Sequence, residues 1–300
     1  KDYKDDFEAF KVYQEEPLKT IDFSEEFSIL EKLFEGVSLL RDYSKKTKDG
    51  ILAQGELLSI KMVSELLNQK GIKAKATDAR KLIKTDATFG NAQPISQLSK
   101  DNIKQYFKEN SEDTVNIVSG FIASNAQNET TTLGRNGSNY TAALLANYLD
   151  AEELQNYTHV NGIYTANPDL VEDAQKIREL SFSEANELAN FGTTVLHAKT
   201  IIPLVEKNIN LRILNTFNPE DEGTLIALER EFENDFYSQD VNKIHVVDDV
   251  SVISIIGIEL SSFHKPFNAL IKNQITPLLF NNTVTGRNVS LVVKKSQLHK

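Results

Sequence analysis

Helix-like and strand-like runs take turns along this chain, and that alternation restricts its fold more than any other feature. Asp22 with Glu25 three positions on has the signature of a helix start, and Phe27, Leu30, Phe34 and Val37 then recur at helical spacing through about Leu40. A second helix is expected from Gly55-Glu56, with Leu58, Met62, Val63, Leu66 and Leu67 on one face and Gly71 at its stop. Ile72, Ala74 and Ala76 alternate with Lys73 and Lys75 as in a short strand. A helix near 101–109 follows, then a buried strand over 114–122 that ends around a glycine. After an Ala/Leu-rich helix come a strand at 154–160, a turn at Asn161-Gly162 and the segment Ile163-Tyr164-Thr165. Ser181 and Glu184 form a capping-box pair for a helix to about Asn190, and a helix near 198–207 precedes a strand at 211–214. The pattern predicts an α/β fold with a mostly parallel sheet covered on both faces. Residues 1–20 are polar without a clear period and are expected to form a surface segment.

The polar run Asn218-Pro219-Glu220-Asp221-Glu222-Gly223 reads as a domain boundary. Beyond it a strand at 250–256, a helix at 267–272, a strand at 275–280 and a turn at Thr285-Gly286-Arg287-Asn288 into 289–293 suggest a ferredoxin-like module. A length of 300 residues suits two domains. The net charge of −10 argues against nucleic acid or an anionic membrane as partner. No apolar run approaches a membrane span, and the absence of cysteine excludes disulfides and thiolate chemistry. His197, His245, His264 and His299 lack metal-ligand spacing and no protein metal site is expected; His159 reads as a hydrogen-bonding loop residue, with a phosphate or metal ligand as the alternative.

One stretch suits ligand chemistry. Thr130-Thr131-Thr132-Leu133-Gly134-Arg135-Asn136-Gly137-Ser138-Asn139 leads directly into an amphipathic helix. Gly134 and Gly137 let the backbone approach a ligand closely. The following helix end offers free N–H groups and a positive dipole to an anion. Arg135 adds a planar fork of donors suited to a carboxylate or phosphate. The alternative is an ordinary glycine-containing loop before a helix capped by Ser138 or Asn139.

Gly55-Glu56-Leu57-Leu58-Ser59, residues 131–138, Gly162-Ile163-Tyr164-Thr165, Phe191-Gly192 with Val195-Leu196-His197, and Asn215-Thr216-Phe217-Asn218-Pro219 with Gly223-Thr224-Leu225-Ile226 resemble, in order, the successive motifs of aspartate kinases. The resemblance implies an amino-acid-kinase three-layer sandwich with a mostly parallel central sheet over residues 1–226. A ferredoxin-like ACT regulatory region over 227–300 would follow. It implies ATP-dependent phosphorylation of L-aspartate to 4-phospho-L-aspartate, the first step of lysine, threonine and methionine biosynthesis, with magnesium, in the cytoplasm. Lysine or threonine would be the feedback effector, and the ACT units would pair two subunits into a homodimer. By motif, Arg135 would clamp the substrate α-carboxylate and Glu56 its ammonium, with Phe121, Thr132 and Ser138 completing the pocket. Gly134, Gly137 and Asn139 would face the transferring phosphoryl group. Thr158, His159, Tyr164, Thr194 and Val195 would hold the nucleotide.

The chain departs from that pattern where Asn139 and His159 replace aspartates, Asp169 an arginine and Thr194 a lysine. These changes imply a rewired nucleotide site that leans on magnesium, backbone amides and other lysines. The resemblance also implies a Lys-Phe-Gly-Gly segment before Lys1, a first ACT unit mostly absent near Ala227, a 228–237 helix leading into the second, and possible fusion to a homoserine dehydrogenase. Two other readings stay open: a different amino-acid kinase, or a non-catalytic subunit that senses an amino acid.

Overall fold

A computed structural model describes residues 3–16, 20–41, 43–110, 113–166, 168, 171–190, 198–228, 243–247, 252–256, 264–275, 277, 279–282 and 288–293. The chain divides into two compact units, Lys1–Leu149 and Asp150–Lys300. Asp169, Thr194, Val195, residues 191–197, most of the 228–237 helix and the 285–287 turn lie outside the described residues.

The first unit begins with a helix where a surface segment was expected. α1 (Lys4–Glu15) buries Phe7, 4% exposed, against α2 (Ser24–Leu40) and α3 (Lys45–Gln69). Tyr3, Phe7 and Phe10 recur at i, i+4 and i+7, but the stripe is short and the rest of the helix is charged. It becomes a core only when Phe23, Phe27, Leu30, Phe34 and Leu58 arrive to cover it. α2 matches the expectation, with Asp22 Oδ1 accepting from Ser24 N at its start.

α3 starts ten positions before the expected Gly55. The Ser44 hydroxyl caps it by accepting from Thr47 N. Gly50 and Gly55 have open space around them and would ordinarily weaken a helix. Burial of Ala53, Leu58 and Ile60 carries α3 through both. The helix ends at Gly71, whose φ of +80° suits a glycine stop.

β1 (Ala74–Thr77) pairs in parallel with β2 (Val115–Val118), and α4 (Ser96–Glu109) lies between them in sequence. The expected single buried strand over 114–122 is broken. β2 is only half-buried and stops at Val118; the chain turns at Gly120-Phe121 and resumes as β3 (Ile122–Ser124). β3 forms a hairpin with β4 (Thr130–Thr132), which leads to α5 (Gly137–Tyr148). Leu82, Ile83, Ile103, Ala123, Leu133, Leu144 and Tyr148 form the core beneath.

In the second unit β5 (Glu153–Thr158) pairs in parallel with β9 (Asn210–Asn215). β10 (Thr224–Ala227) lies antiparallel to β9 and parallel to β8 (Glu179–Ser181). The α/β expectation holds, but this sheet is mixed, in the order β5-β9-β10-β8. Residues 218–223 form the turn between β9 and β10 inside one sheet, where a domain boundary was read. β6 (Ile163–Tyr164) and β7 (Lys176–Ile177) make a small antiparallel ladder.

α6 (Phe182–Asn190) begins at the expected capping box: Ser181 N donates to Glu184 Oε2 at 2.9 Å and Glu184 N to Ser181 Oγ at 3.3 Å. α7 (Ala198–Val205) follows. The remaining strands β11 (Lys243–Val247), β12 (Val252–Ile256), β13 (Leu279–Asn282) and β14 (Asn288–Val292) form an antiparallel sheet in the order β11-β12-β14-β13. α8 (His264–Lys272) connects β12 to β13 and buries Leu270 with Ile255, Val289 and Leu291. β13 starts later than expected because Ile275 packs against that core. No described helix is long and apolar enough to cross a membrane.

Candidate functional site

The glycine loop and the Gly120-Phe121 turn are built against one another. A Cβ on Gly120 would lie 2.7 Å from the Cβ and 2.8 Å from the Cα of Ser138, so only glycine lets the turn touch the first residues of α5. Gly137 is closed in the same way, with Phe121 Cδ2 at 2.7 Å from its notional Cβ. Phe121 has φ of +69°, a conformation bulky side chains avoid, and Ile122 N donates to Gly120 O across it at 2.7 Å. Two bonds hold the strain in place: Phe121 N donates to Thr141 Oγ1, and Leu133 N donates to Phe121 O. Strain retained this way is typical of functional positions.

α5 has no side-chain cap. Asn136, at φ +59°, precedes Gly137, so Ser138 and Asn139 occupy the first turn and do not cap it. In that first turn Gly137 N donates back to Gly134 O at 3.0 Å, and the Ser138 and Asn139 amides have no intrahelical acceptor. Ser138 is exposed and Asn139 half-buried. Arg135 is exposed and makes no hydrogen bond or ion pair among the described residues.

A residue passed over in the sequence holds this region together. Asp49, 1% exposed, accepts from Thr132 Oγ1 at 2.9 Å, Thr132 N at 3.0 Å and Gly90 N at 2.8 Å. It joins α3 to β4 and to the 86–95 loop, which Ala92 N ties again to Thr132 O. Thr132 is also 1% exposed and its hydroxyl is committed to Asp49, so it supports the loop from below. No motif marks Asp49; its partners are 41 and 83 residues away.

Glu56 lies two helical turns beyond Asp49 on the same face of α3. The neighbouring Ala53 and Leu57 pack in one cluster with Phe121 and Ile122. The Glu56 carboxylate is half-buried, has no cationic partner among the described residues, and is held above the usual carboxylate range by desolvation. A carboxyl whose folded pKa is raised contributes its full stability below the unfolded value and loses it as pH rises through the folded value. Glu56→Gln therefore raises the thermal midpoint at neutral pH and leaves it unchanged in acid below the ordinary glutamate range. Melting curves across that window check this; a midpoint lowered at neutral pH would show that the carboxylate has a stabilising partner.

In the second unit two of the residues expected at the nucleotide, Thr158 and His159, lie at the carboxyl end of β5 beside the parallel β9, where ligands of α/β sheets collect. Thr158 and Asn215 are the last pair of β5 and β9. Thr158 Oγ1 accepts from Val160 N, ending β5 two residues early and leaving His159 exposed in the loop. Gly162, at φ +115°, closes on Thr224, whose hydroxyl accepts from Ile163 N and donates to Ile177 O. Tyr164, half-buried in β6, is thereby fixed beside β10. The sites expected at Thr194 and Val195 fall outside the described residues.

Comparison with known proteins places the chain in a family. A profile described as the Amino acid kinase family matches residues 8–215. Lysine-sensitive aspartokinase 3 of Escherichia coli (strain K12) is 38% identical over 208 residues, covering 67% of this chain and 46% of that protein. The aspartokinase of Rickettsia felis is 35% identical over 240 residues, covering 79% of this chain and 58% of that protein. The crystal structure of E. coli aspartokinase III in complex with aspartate and ADP superposes with a TM-score of 0.66 at 27% identity, over 92% of this chain and 60% of that one. The chain thus spans about half the length of the curated relatives it matches. Because that profile matches 8–215, well over half of the sequence, this chain belongs to the amino acid kinase family.

Proposed function

We propose that this chain transfers the γ-phosphoryl group of ATP to the side-chain carboxylate of L-aspartate, giving 4-phospho-L-aspartate and ADP. The observation that carries this reading is two opposite charges without partners among the described residues, Glu56 and Arg135, on elements that Asp49 locks together. An α-amino acid presents the complementary pair: its ammonium meets Glu56 and its α-carboxylate the Arg135 fork. Phe121, Ser138 and, from beneath, Thr132 shape the pocket. The aspartokinase relatives, and the structure bound to aspartate and ADP, support the choice of substrate.

The acceptor carboxylate is ionised at neutral pH, with an ordinary pKa near ~3.9, so attack on the γ-phosphorus needs no general base. The P–O bond to ADP breaks as the new P–O bond forms, and the protein's task is positioning and charge neutralisation. Gly134 and Gly137, joined by the Gly137 N to Gly134 O bond, hold the loop tight, and the first turn of α5 at Asn139 supplies its dipole to the transferring group. Thr158, His159, Tyr164, Thr194 and Val195 hold the nucleotide. Among the described residues no group of three His, Asp or Glu could hold a metal ion. Magnesium bound chiefly to substrate phosphates fits that donor set, so the nucleotide substrate is MgATP.

The kinase part is assigned to residues 1–226 and an ACT unit to 227–300. The antiparallel β11–β14 sheet with α8 on it supports the second assignment. Lysine is the favoured effector over threonine, given the lysine-sensitive relative, and a homodimer is the default assembly.

The test is a coupled ADP-release assay on the full-length protein with ATP, magnesium and L-aspartate, glutamate as control, and lysine or threonine added in turn. Aspartate-dependent turnover establishes the reaction. No turnover, with binding of lysine or threonine retained, would make the chain a sensing subunit. Two variants sharpen the result. Glu56→Gln raises the Michaelis constant for aspartate by about 10-fold, because a charge-assisted hydrogen bond becomes a neutral one. Gly120→Ala drives a methyl group into the Ser138 backbone, an overpacking of about 1–3 kcal/mol that displaces the first turn of α5. Its kcat/KM falls while the far-ultraviolet circular dichroism stays that of the parent; unchanged kinetics would separate that contact from catalysis.

A further inference from the structure

We propose that Phe217, which none of the assigned roles includes, is the stacking platform for the purine base of the nucleotide. The inference rests on the phosphoryl-transfer reading above and deepens it. Phe217 is 82% exposed, the most exposed large hydrophobic side chain among the described residues. A lone exposed apolar residue is ordinary in itself; its placement and its rigidity set this one apart.

The placement follows from strand pairing. β5 and β9 run in parallel and end together at Thr158 and Asn215, so His159 and Phe217 leave from the same edge of the sheet. The rigidity comes from hydrogen bonds that lace the two loops together. Thr216 N donates to Thr158 O at 2.8 Å, and Phe217 N to Asn215 Oδ1 at 2.9 Å. Asn215 Nδ2 donates to Asn161 Oδ1 at 2.7 Å, and Asn218 N to Asn215 O at 3.2 Å. The backbone on both sides of the ring is therefore set before any ligand arrives, and only the side-chain torsions stay free. Below it Gly223, at φ +69°, closes the turn so tightly that a Cβ would meet Ile213 O at 1.9 Å.

A flat apolar ring on a fixed loop, beside hydroxyl and amide groups at strand ends, has the chemistry of a base platform. Every base has a π-face, and a purine offers the larger one. Phe217 thus selects the base by area while neighbouring polar groups read its edge. It touches no atom that reacts, so its loss weakens nucleotide binding and leaves the acceptor half alone.

The experiment uses the full-length protein and two variants. Phe217→Ala raises the Michaelis constant for ATP by about 10-fold and leaves that for aspartate within about 2-fold. These 300 residues contain no tryptophan, so Phe217→Trp adds an indole at the proposed platform, read as the difference from the parent. ADP titrated into this variant quenches its fluorescence, and inorganic tripolyphosphate, which has no base, does not. A thermal melt of both variants confirms that the fold is kept. Parent-like ATP kinetics in the alanine variant, or equal responses of the indole to ADP and tripolyphosphate, would overturn the platform while the kinase stands. Loss of aspartate-dependent turnover in the parent, with ADP still quenching the indole, would overturn the acceptor assignment and leave the platform intact.

Discussion

Arg135→Ala raises the Michaelis constant for L-aspartate by about 10- to 100-fold, the cost of losing charge-assisted hydrogen bonds of about 1.5–3 kcal/mol. The variant melts within about 0.5 kcal/mol of the parent, because the exposed Arg135 side chain supports no part of the core. These two outcomes belong together. A structural arginine would lose stability with its side chain, whereas a binding arginine loses affinity alone. The constant for ATP stays near its parent value, since the proposed contact of the guanidinium is with the acceptor. Arg135→Lys recovers only part of the loss, because an ammonium is a point charge without the planar fork. Steady-state kinetics over a range of aspartate, with melts on the same preparations, decide the matter. An unchanged aspartate constant would leave the ligand's α-carboxylate to another group.

Asp49→Ala has the largest expected effect on stability. It strands the Thr132 amide, the Thr132 hydroxyl and the Gly90 amide in a buried site, each at about 1–3 kcal/mol. Part of this is relieved by water and local movement, so a total on the order of 3–5 kcal/mol is expected. The melting transition falls by about 10 °C. Asp49→Asn keeps an acceptor oxygen but turns an amide donor toward donors, and lies between the two. The damage reaches function because β4 leads straight to Gly134 and Arg135, so aspartate affinity also falls in whichever variant folds. A thermal melt with an aspartate titration on each variant tests both parts. An alanine variant that melts with the parent would mean that the three donors find other partners, and Asp49 would lose its place as the joint between α3 and β4.

Phe217 and Asp49 show two limits of reading the chain alone. Phe217 sits inside a recognised motif, yet the motif says nothing of which side chains stand free. Its exposure follows from the β9–β10 turn, which looked like a domain boundary because Asn, Pro, Asp, Glu and Gly mark boundaries and tight hairpins alike. Asp49 lies in what reads as the approach to a helix starting at Gly55. The early start became visible only when the Ser44 cap and the buried face of α3 were in place.

What the sequence by itself determined were the features whose partners lie a few residues apart. The Ser181–Glu184 capping box spans three positions, Gly71 ends its own helix, and the repeats of α2 carry their period with them. The glycine loop with its following helix belongs to this class, as do strands β1, β5 and β9. Tertiary structure alone decided the rest: the docking of α1, the break at Phe121, the burial of Thr132, the mixed sense of the β5-β9-β10-β8 sheet and the role of Asp49. Each depends on atoms brought together from distant positions, such as the 83 residues between Asp49 and Thr132. A buried carboxylate is stable only where the fold delivers donors to it, and no local pattern along the chain records that delivery.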